Sequence, residues 1–338
     1  MPKISINLLN YNTPWLEIKK CLEHALSQDF DDYEVYYMEN ASEGQPNLIA
    51  EVTESFGSNS RLKVVNNGEN LGYAGGHNKF FKNTDSELLM VLNPDALLAE
   101  NFVSEIVKAF EDPLVGLATG KMLKPTKNEK GQSILDGTGI IISRSRRGRE
   151  RGQLEVDHGQ YNESTEIFGV SGTAAVFRKE ALESVKILND EYYDPDFFAY
   201  WEDLDISWRM RLQGWQARFV PNAVVIHPRA VGASPGGLKN FFTFIKHHRS
   251  FSLNIRRWNW RNHLFTIVKN DFGWSFWKAA PLILVREFSM AIFITLFSIS
   301  TWSVLPVFFK LLPKMFLKRK IIQARRKVSS KQMEKWFV

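Results

Sequence analysis

Apolar and polar positions in the first part of the chain switch between two periods. Residues 3–9 (KISINLL) form a short apolar run, the sequence NYNTP then turns the chain, and residues 15–27 space their apolar side chains along one helical face. Residues 33–39 (YEVYYME), 61–67 (RLKVVNN) and 87–93 (ELLMVLN) read as three further strands, the last the most apolar. Strands alternating with helices predict an α/β fold whose mainly parallel sheet is covered on both faces. Such sheets bind ligands at the carboxyl ends of their strands. Residues 120–169 are polar and rich in Gly and charge, and predict solvated loops. Within them SRSRRGRER (143–151) is the most basic piece, with contact to an anionic substrate as its alternative reading. Residues 171–182 (SGTAAVFRKEAL) return to strand and helix, and 217–228 (ARFVPNAVVIHP) read as two short strands about a Pro-Asn turn. From about residue 240 the pattern becomes aromatic and basic helix, then apolar helix.

The stretch FAYWEDLDISWRMRLQGW (198–215) places Glu202, Asp203 and Asp205 directly after aromatic residues. One reading is local. Carboxylates suit the first turn of a helix, Leu204, Trp208 and Leu212 recur along one face, Asp205 can pair with Arg209, and Gly214 ends the helix. The other reading is chemical and depends on the strand ends.

Glu39 closes the second strand, where a carboxylate could accept the ring N–H of a pyrimidine base or simply cap a polar strand end. The third strand runs into NNGENLGYAGGHN (66–78). Its Asn70, Gly72, Gly75, Gly76 and Asn78 suit a loop that approaches a ligand closely, with backbone N–H groups facing a phosphate. The spacing is neither that of a dinucleotide fingerprint nor that of a P-loop. The fourth strand ends in LNPDALL, where Asp95 after Asn93 and Pro94 could hold a hard divalent cation or merely shape a turn. His227 closes the last short strand and could join such a cation site or be structural. All of these fall at predicted strand ends or helix starts, which favours the chemical reading.

Bulk properties narrow the class. The chain has 338 residues, a net charge of +6 and one cysteine, Cys21, read as a packing residue. No internal disulfide is available, a reducing compartment is expected, and the N-terminal pattern lacks a secretory signal. Residues 314–338 carry nine Lys or Arg against one Glu, so the rest of the chain is slightly acidic. A basic tail after an apolar stretch fits an anionic membrane surface and disfavours nucleic acid. Residues 288–309 form a charge-free run long enough to span a bilayer, although Pro306 and several hydroxyl residues weaken it. A helix lying in the cytosolic interface is the favoured reading, with a single span and a buried soluble helix as alternatives.

In ENAS (39–42), NLGYAGGHN (70–78), LNPDALL (92–98), SGTAAVFRKEAL, FFAYWEDLDISWRMRLQGW (197–215) and His227, taken in order, the chain resembles family-two glycosyltransferases, specifically their bacterial rhamnosyltransferase-like branch. RNHLFTIVKN (261–270) resembles the same branch. The resemblance implies a GT-A fold over residues 1–239, a Rossmann-like nucleotide-binding half joined to an acceptor half, followed by a helical membrane-associating region over 240–338. It implies inverting transfer of a sugar, L-rhamnose from a dTDP donor or a hexose from a UDP donor, to a glycan acceptor that is lipid-linked. It implies Mg or Mn held by Asp95 and His227, with Asn93 standing where the common D-x-D motif has its first Asp. Asp203 matches the catalytic base. Glu202 and Asp205 would hydrogen-bond the acceptor or order the helix, and Trp201 would stack on a sugar. Asn10, Glu39, Asn70, Gly72, Gly75, Gly76, Asn78, Asn93 and Asp95 would hold the nucleotide sugar. A catalytically silent scaffold of the same fold is the non-enzymatic alternative.

Overall fold

The alternating apolar runs become strands of a single large sheet in the computed structural model, which describes residues 1–45, 47–163, 165–188, 191–228 and 240–338. The strands are β1 (Ile4–Asn10), β2 (Tyr33–Glu39), β3 (Leu62–Asn66), β4 (Leu88–Leu92), β5 (Leu97–Leu98), β6 (Val115–Lys127), β7 (Ser133–Gly137), β8 (Ile140–Ile142), β9 (Gly148–Glu150), β10 (Glu166–Ile167), β11 (Ala174–Arg178) and β12 (Gln216–Ile226). The helices are α1 (Trp15–Leu26), α2 (Leu48–Phe56), α3 (Gly72–Lys82), α4 (Phe102–Lys108), α5 (Lys179–Ser184), α6 (Glu202–Leu212), α7 (Phe241–Ser250), α8 (Leu253–Asn270), α9 (Gly273–Phe297), α10 (Leu305–Arg325) and α11 (Ser330–Glu334).

The sheet order is β10-β12-β6-β11-β4-β1-β2-β3, with β5 added to β12 and β7 to β6. β3, β2, β1 and β4 run parallel, as the alternation predicts. β11 lies antiparallel between β4 and β6, and β12 returns parallel to β6. The sheet is therefore parallel in its first half and mixed in its second. One face packs Ile4, Ile6 and Leu8 against Ile18, Cys21 and Leu22 of α1. The other packs Leu89 and Val91 with Phe80 and Phe81 of α3 and with Ile206 and Met210 of α6. Each such side chain contributes about 1.5–3 kcal/mol by leaving water. Burial pushes the Cys21 thiol well above its ordinary range, in keeping with a packing role.

Three expectations change. The polar middle segment is not mostly solvated loop: it supplies β7, β8 and β9, and it buries Asp136, Arg146 and Arg151. Arg146 Nε sits 2.7 Å from Asp271 Oδ2, and its guanidinium covers the Phe337 ring, so partners distant in sequence satisfy charges that read locally as a wet loop. The segment 217–228 contributes one long strand, β12, whose register shifts between Val220 and Val224 in place of the expected turn. The charge-free run 288–309 is not one helix: α9 ends at Phe297, Ser298 takes φ −154° and ψ 41°, and a short 3-10 turn (Ile299–Val304) leads into α10.

The helical region beyond residue 240 shares apolar clusters with the sheet domain. Leu204 and Trp208 of α6 pack with Phe272, Ile322, Met333 and Phe337, and Phe197 packs with Phe265 and Met315. α6 is consequently buried nearly all round, not on the one face that its spacing predicts. Among the described residues α9 is the one helix long and apolar enough to cross a membrane, at mean hydropathy 1.8. Its Trp274, Trp277, Leu284, Phe288 and Leu296 are exposed.

Candidate active site

A cavity of about 760 Å³ opens where β1 and β4 end. On one side stand Tyr11 to Pro14, Asn40, Asn70, Gly72 and Tyr73; Asn93, Pro94 and Asp95 form the floor. Phe198, Ala199 and Tyr200 close the far side together with Ser252, Ile255 and Trp258 from the start of α8.

The loop before α3 is shaped by amides. Asn70 Oδ1 accepts from the Gly72 N–H at 2.9 Å, and Asn40 Nδ2 donates to the Gly72 carbonyl at 3.1 Å. Gly72 has φ +67°, and a Cβ there would lie 2.6 Å from Phe198 Cδ2, so only glycine lets this loop meet the loop before α6. Gly76 serves packing: its missing Cβ leaves room for Leu9. Gly75 lies in the first turns of α3 with the Leu71 side chain close by, and is not on the cavity wall. Asn78 is buried and braces the Tyr193 backbone, donating to its carbonyl and accepting from its N–H. Asn10 and Glu39 stand behind the wall. Glu39 accepts from Asn10 Nδ2 at 2.6 Å and Tyr37 Oη at 2.5 Å, and from the Ser42 N–H and hydroxyl. This cluster fixes the strand ends from beneath.

Strand register brings the next pair together. β5 pairs with β12 so that Val225 faces Leu98 and Ile226 faces Leu97, which draws the NPDALL turn against His227. His227 Nε2 lies 3.4 Å from Asp95 Oδ1 and 3.5 Å from Asn93 Nδ2. Nδ1 lies 2.9 Å from Asp136 Oδ2, a side chain that is fully buried. If Asp136 accepts the Nδ1 proton, Nε2 carries the lone pair and faces Asp95. Asp136 was missed in the sequence because it sits in the segment read as loop. Its signal was the apolar pair before it, Ile134 and Leu135, beside a turn glycine.

The acidic cluster divides into separate environments. Asp203 is half-buried; its Oδ2 accepts from the Gly172 N–H at 3.3 Å and its Oδ1 from the Leu204 N–H at 2.7 Å. The Gly172 carbonyl in turn accepts from Tyr73 Oη, which reaches the cavity wall. Glu202 is 6% exposed, and burial together with Asp203 pushes its carboxyl well above the usual range. Of two adjacent acids, Glu202 thus takes up a proton readily. Asp205 is 0% exposed and bonds Arg209, Lys269 and Asn270, contacts that fit the helix-ordering alternative. Trp201 does not line this cavity. Its ring packs edge-on to His263, and its Nε1 donates to Asn259 Oδ1 at 3.2 Å. Trp258 and Tyr200 line the cavity beside Tyr11, Tyr73 and Phe198, and the Trp258 and Tyr200 rings stack with centroids 6.5 Å apart. Trp258 lies just outside the motif RNHLFTIVKN, in the first turns of α8, and nothing local marks it as a cavity residue.

The family model for glycosyl transferase family 2 matches residues 5–186, just over half of the chain. The chain belongs to this family. Two relatives are an N-acetylglucosaminyltransferase of Bradyrhizobium diazoefficiens, 20% identical over 66% of this chain and 44% of its own length, and a poly-beta-1,6-N-acetyl-D-glucosamine synthase of Staphylococcus aureus, 25% identical over 69% and 55%. This glycosyltransferase-family chain therefore spans about half the length of those relatives. Among solved structures it is similar to a mannosyltransferase of Pyrobaculum calidifontis in complex with GDP-Man and Mn2+, at TM-score 0.54 and 16% identity over 99% of this chain and 87% of that one. It is similar to S. aureus TarS in complex with UDP-GlcNAc at TM-score 0.56 and 15% identity, over 96% and 84%. These likenesses establish a shared fold for the family-two chain.

Proposed function

We propose that the chain transfers a sugar from a nucleoside diphosphate to a hydroxyl of a glycan acceptor, with inversion at the anomeric carbon. The observation that carries this reading is the chain of contacts Asp136–His227–Asp95 at the cavity. Two donor atoms 3.4 Å apart suit one small cation, because ligands about 2.1 Å from an ion lie about 3 Å from each other. The carboxylate on Nδ1 would fix the tautomer that such a site needs. Among the described residues no three acidic, His or Cys side chains are placed to hold one metal ion together, since Asp136 bonds the far nitrogen of His227, so water and substrate phosphate would complete the sphere. Bound Mg or Mn would neutralise charge developing on the departing diphosphate.

Asp203 is the base in this reading. Its carboxylate takes the acceptor hydroxyl proton as the new bond to the anomeric carbon forms and the bond to the diphosphate breaks. Trp258 and Tyr200 would offer ring faces to the acceptor sugar. The named relatives favour UDP-GlcNAc as donor, whereas the N-P-D motif favours dTDP-L-rhamnose. The exposed apolar residues of α9, with the basic composition of residues 314–338, support peripheral docking on an anionic cytosolic leaflet and thus a lipid-linked acceptor.

The test is calorimetric titration of the parent chain and His227→Ala with each donor, in Mn and in excess chelator. One donor should bind in Mn, and its affinity should fall at least about tenfold without the ion or without the imidazole. Equal affinity in chelator would exclude the cation. Failure to bind or hydrolyse either donor would reject the enzymatic reading for both.

A further inference from the structure

The backbone ahead of α6 is held in rare conformations. Phe198 has φ +65° and ψ −61°, with the Ala199 N–H donating to the Phe197 carbonyl at 2.8 Å, which makes a γ-turn of the strained hand. Tyr200 and Trp201 follow at φ +68° and +76°. Three non-glycine residues with positive φ in four positions need support from outside the loop. That support comes from α8. Asn262, fully buried, directs its Nδ2 at the carbonyls of Phe197, Ala199 and Tyr200, at 3.0, 3.0 and 2.9 Å. Arg261 Nη2 donates to the Asp196 and Phe197 carbonyls, and its Nε donates to Asn262 Oδ1 at 2.9 Å, fixing the orientation of the amide. On the opposite side the Ala74 N–H of α3 donates to the Phe198 carbonyl at 3.1 Å.

We propose that Asn262 is a positioning residue for the transfer reaction. It gathers three carbonyls that only a left-handed backbone can aim at one point, and so sets where α6 begins. The Trp201 carbonyl accepts the first helical bond, from the Asp205 N–H at 2.9 Å, and Asp203 lies within that turn. The proposal rests on the reading of Asp203 as the base only in its kinetic arm.

The experiment uses the full chain as parent, Asn262→Ala, Tyr200→Gly and the double variant, because glycine adopts positive φ without strain. Hydrogen exchange reads the clamp without substrate: the Asp205 amide should exchange faster in Asn262→Ala, and an unchanged rate overturns the proposal. With the donor that the parent turns over, Asn262→Ala should lower kcat about tenfold to a hundredfold, as for small misplacements of a reacting group, with UDP or dTDP affinity kept within about twofold. In the Tyr200→Gly background the same substitution should cost at least about threefold less, since the two changes act on one strain. An equal cost in both backgrounds, or nucleotide affinity falling in step with kcat, overturns the proposal. If Asn262→Ala alone does not fold, recovery of folding by Tyr200→Gly supports it and no recovery overturns it. A parent that turns over no donor sinks the transfer reading and leaves the exchange result to decide the clamp.

Discussion

Replacing Lys269 with Met keeps most of the apolar stem and removes the ammonium, which sits 4.2 Å from the Phe197 ring centroid. That ammonium lies 2.6 Å from Asp194 and 2.9 Å from Asp205, and all three side chains are 0% exposed. Removing one partner of a buried ion pair costs about 3–5 kcal/mol, because the remaining charge has neither water nor a counterion. Here neither carboxylate is stranded. Asp205 retains Arg209 Nε at 3.0 Å and Asn270, and Asp194 retains Lys318. The expected loss is therefore at the lower end, about 3 kcal/mol, which at about 2.1 cal/mol/K of unfolding entropy per residue would lower the Tm of this 338-residue chain by about 4 °C. The effect has a pH signature. Burial by itself would raise the Asp194 carboxyl, but Lys269 and Lys318 outweigh it and hold the group well below the ordinary carboxylate range. A depressed carboxyl stabilises the fold above its unfolded pKa and loses that contribution as pH falls toward the folded value. Thermal unfolding of parent and variant should show the largest gap near neutral pH, narrowing below the ordinary carboxylate range. A Tm within about 2 °C of the parent at neutral pH, or a gap that widens in acid, would refute the account.

Three further outcomes follow from the site and the surface. Asp203→Asn should lower turnover about a hundredfold or more while nucleotide affinity holds, and near-parental turnover would remove Asp203 as the base. Gly72→Ala should cost about 1–3 kcal/mol in thermal unfolding, because it forces φ +67° on a residue whose Cβ meets Phe198, and should weaken donor binding; a variant unchanged in both would contradict the contact. The pair Phe288→Ser and Leu296→Ser, at positions 70% and 66% exposed, should reduce co-sedimentation with anionic phospholipid vesicles about tenfold with Tm preserved, and equal sedimentation would reject docking through α9. Substitution is preferable to truncation after Val285, since Lys318, Met333 and Phe337 beyond that point are buried.

The parallel half of the sheet was legible because its strands are short, mainly apolar runs bounded by turn residues, continuous in β4 and broken only by Ser5 and Asn7 inside β1. Asp95 and His227 were legible as strand-end residues, and the register of β5 with β12 brings them into reach. Local spacing gave the Asp205–Arg209 pair but could not reveal Lys269, which closes the same network from α8. The same limit applies to the aromatic residues. Trp201 precedes the acids in sequence, yet its left-handed backbone turns it toward His263, and Trp258 occupies the cavity instead. The middle strands were illegible for another reason: β8 and β9 are three residues each, too short to show a period, and their neighbourhood carries charges whose partners lie far along the chain.

The late arrival of β12 shapes how the chain can be made. One edge of β6 stays open until β12 pairs with it, and that pairing also seats His227 beside Asp95. During synthesis from the N-terminus, the segment matched by the family model would emerge as a sheet with a bare internal edge and no partner for the NPD turn. Such an edge invites pairing with other nascent chains. Slow elongation between β11 and β12 would therefore be expected to lower the soluble yield, whereas the same pause placed after β12 would be tolerated.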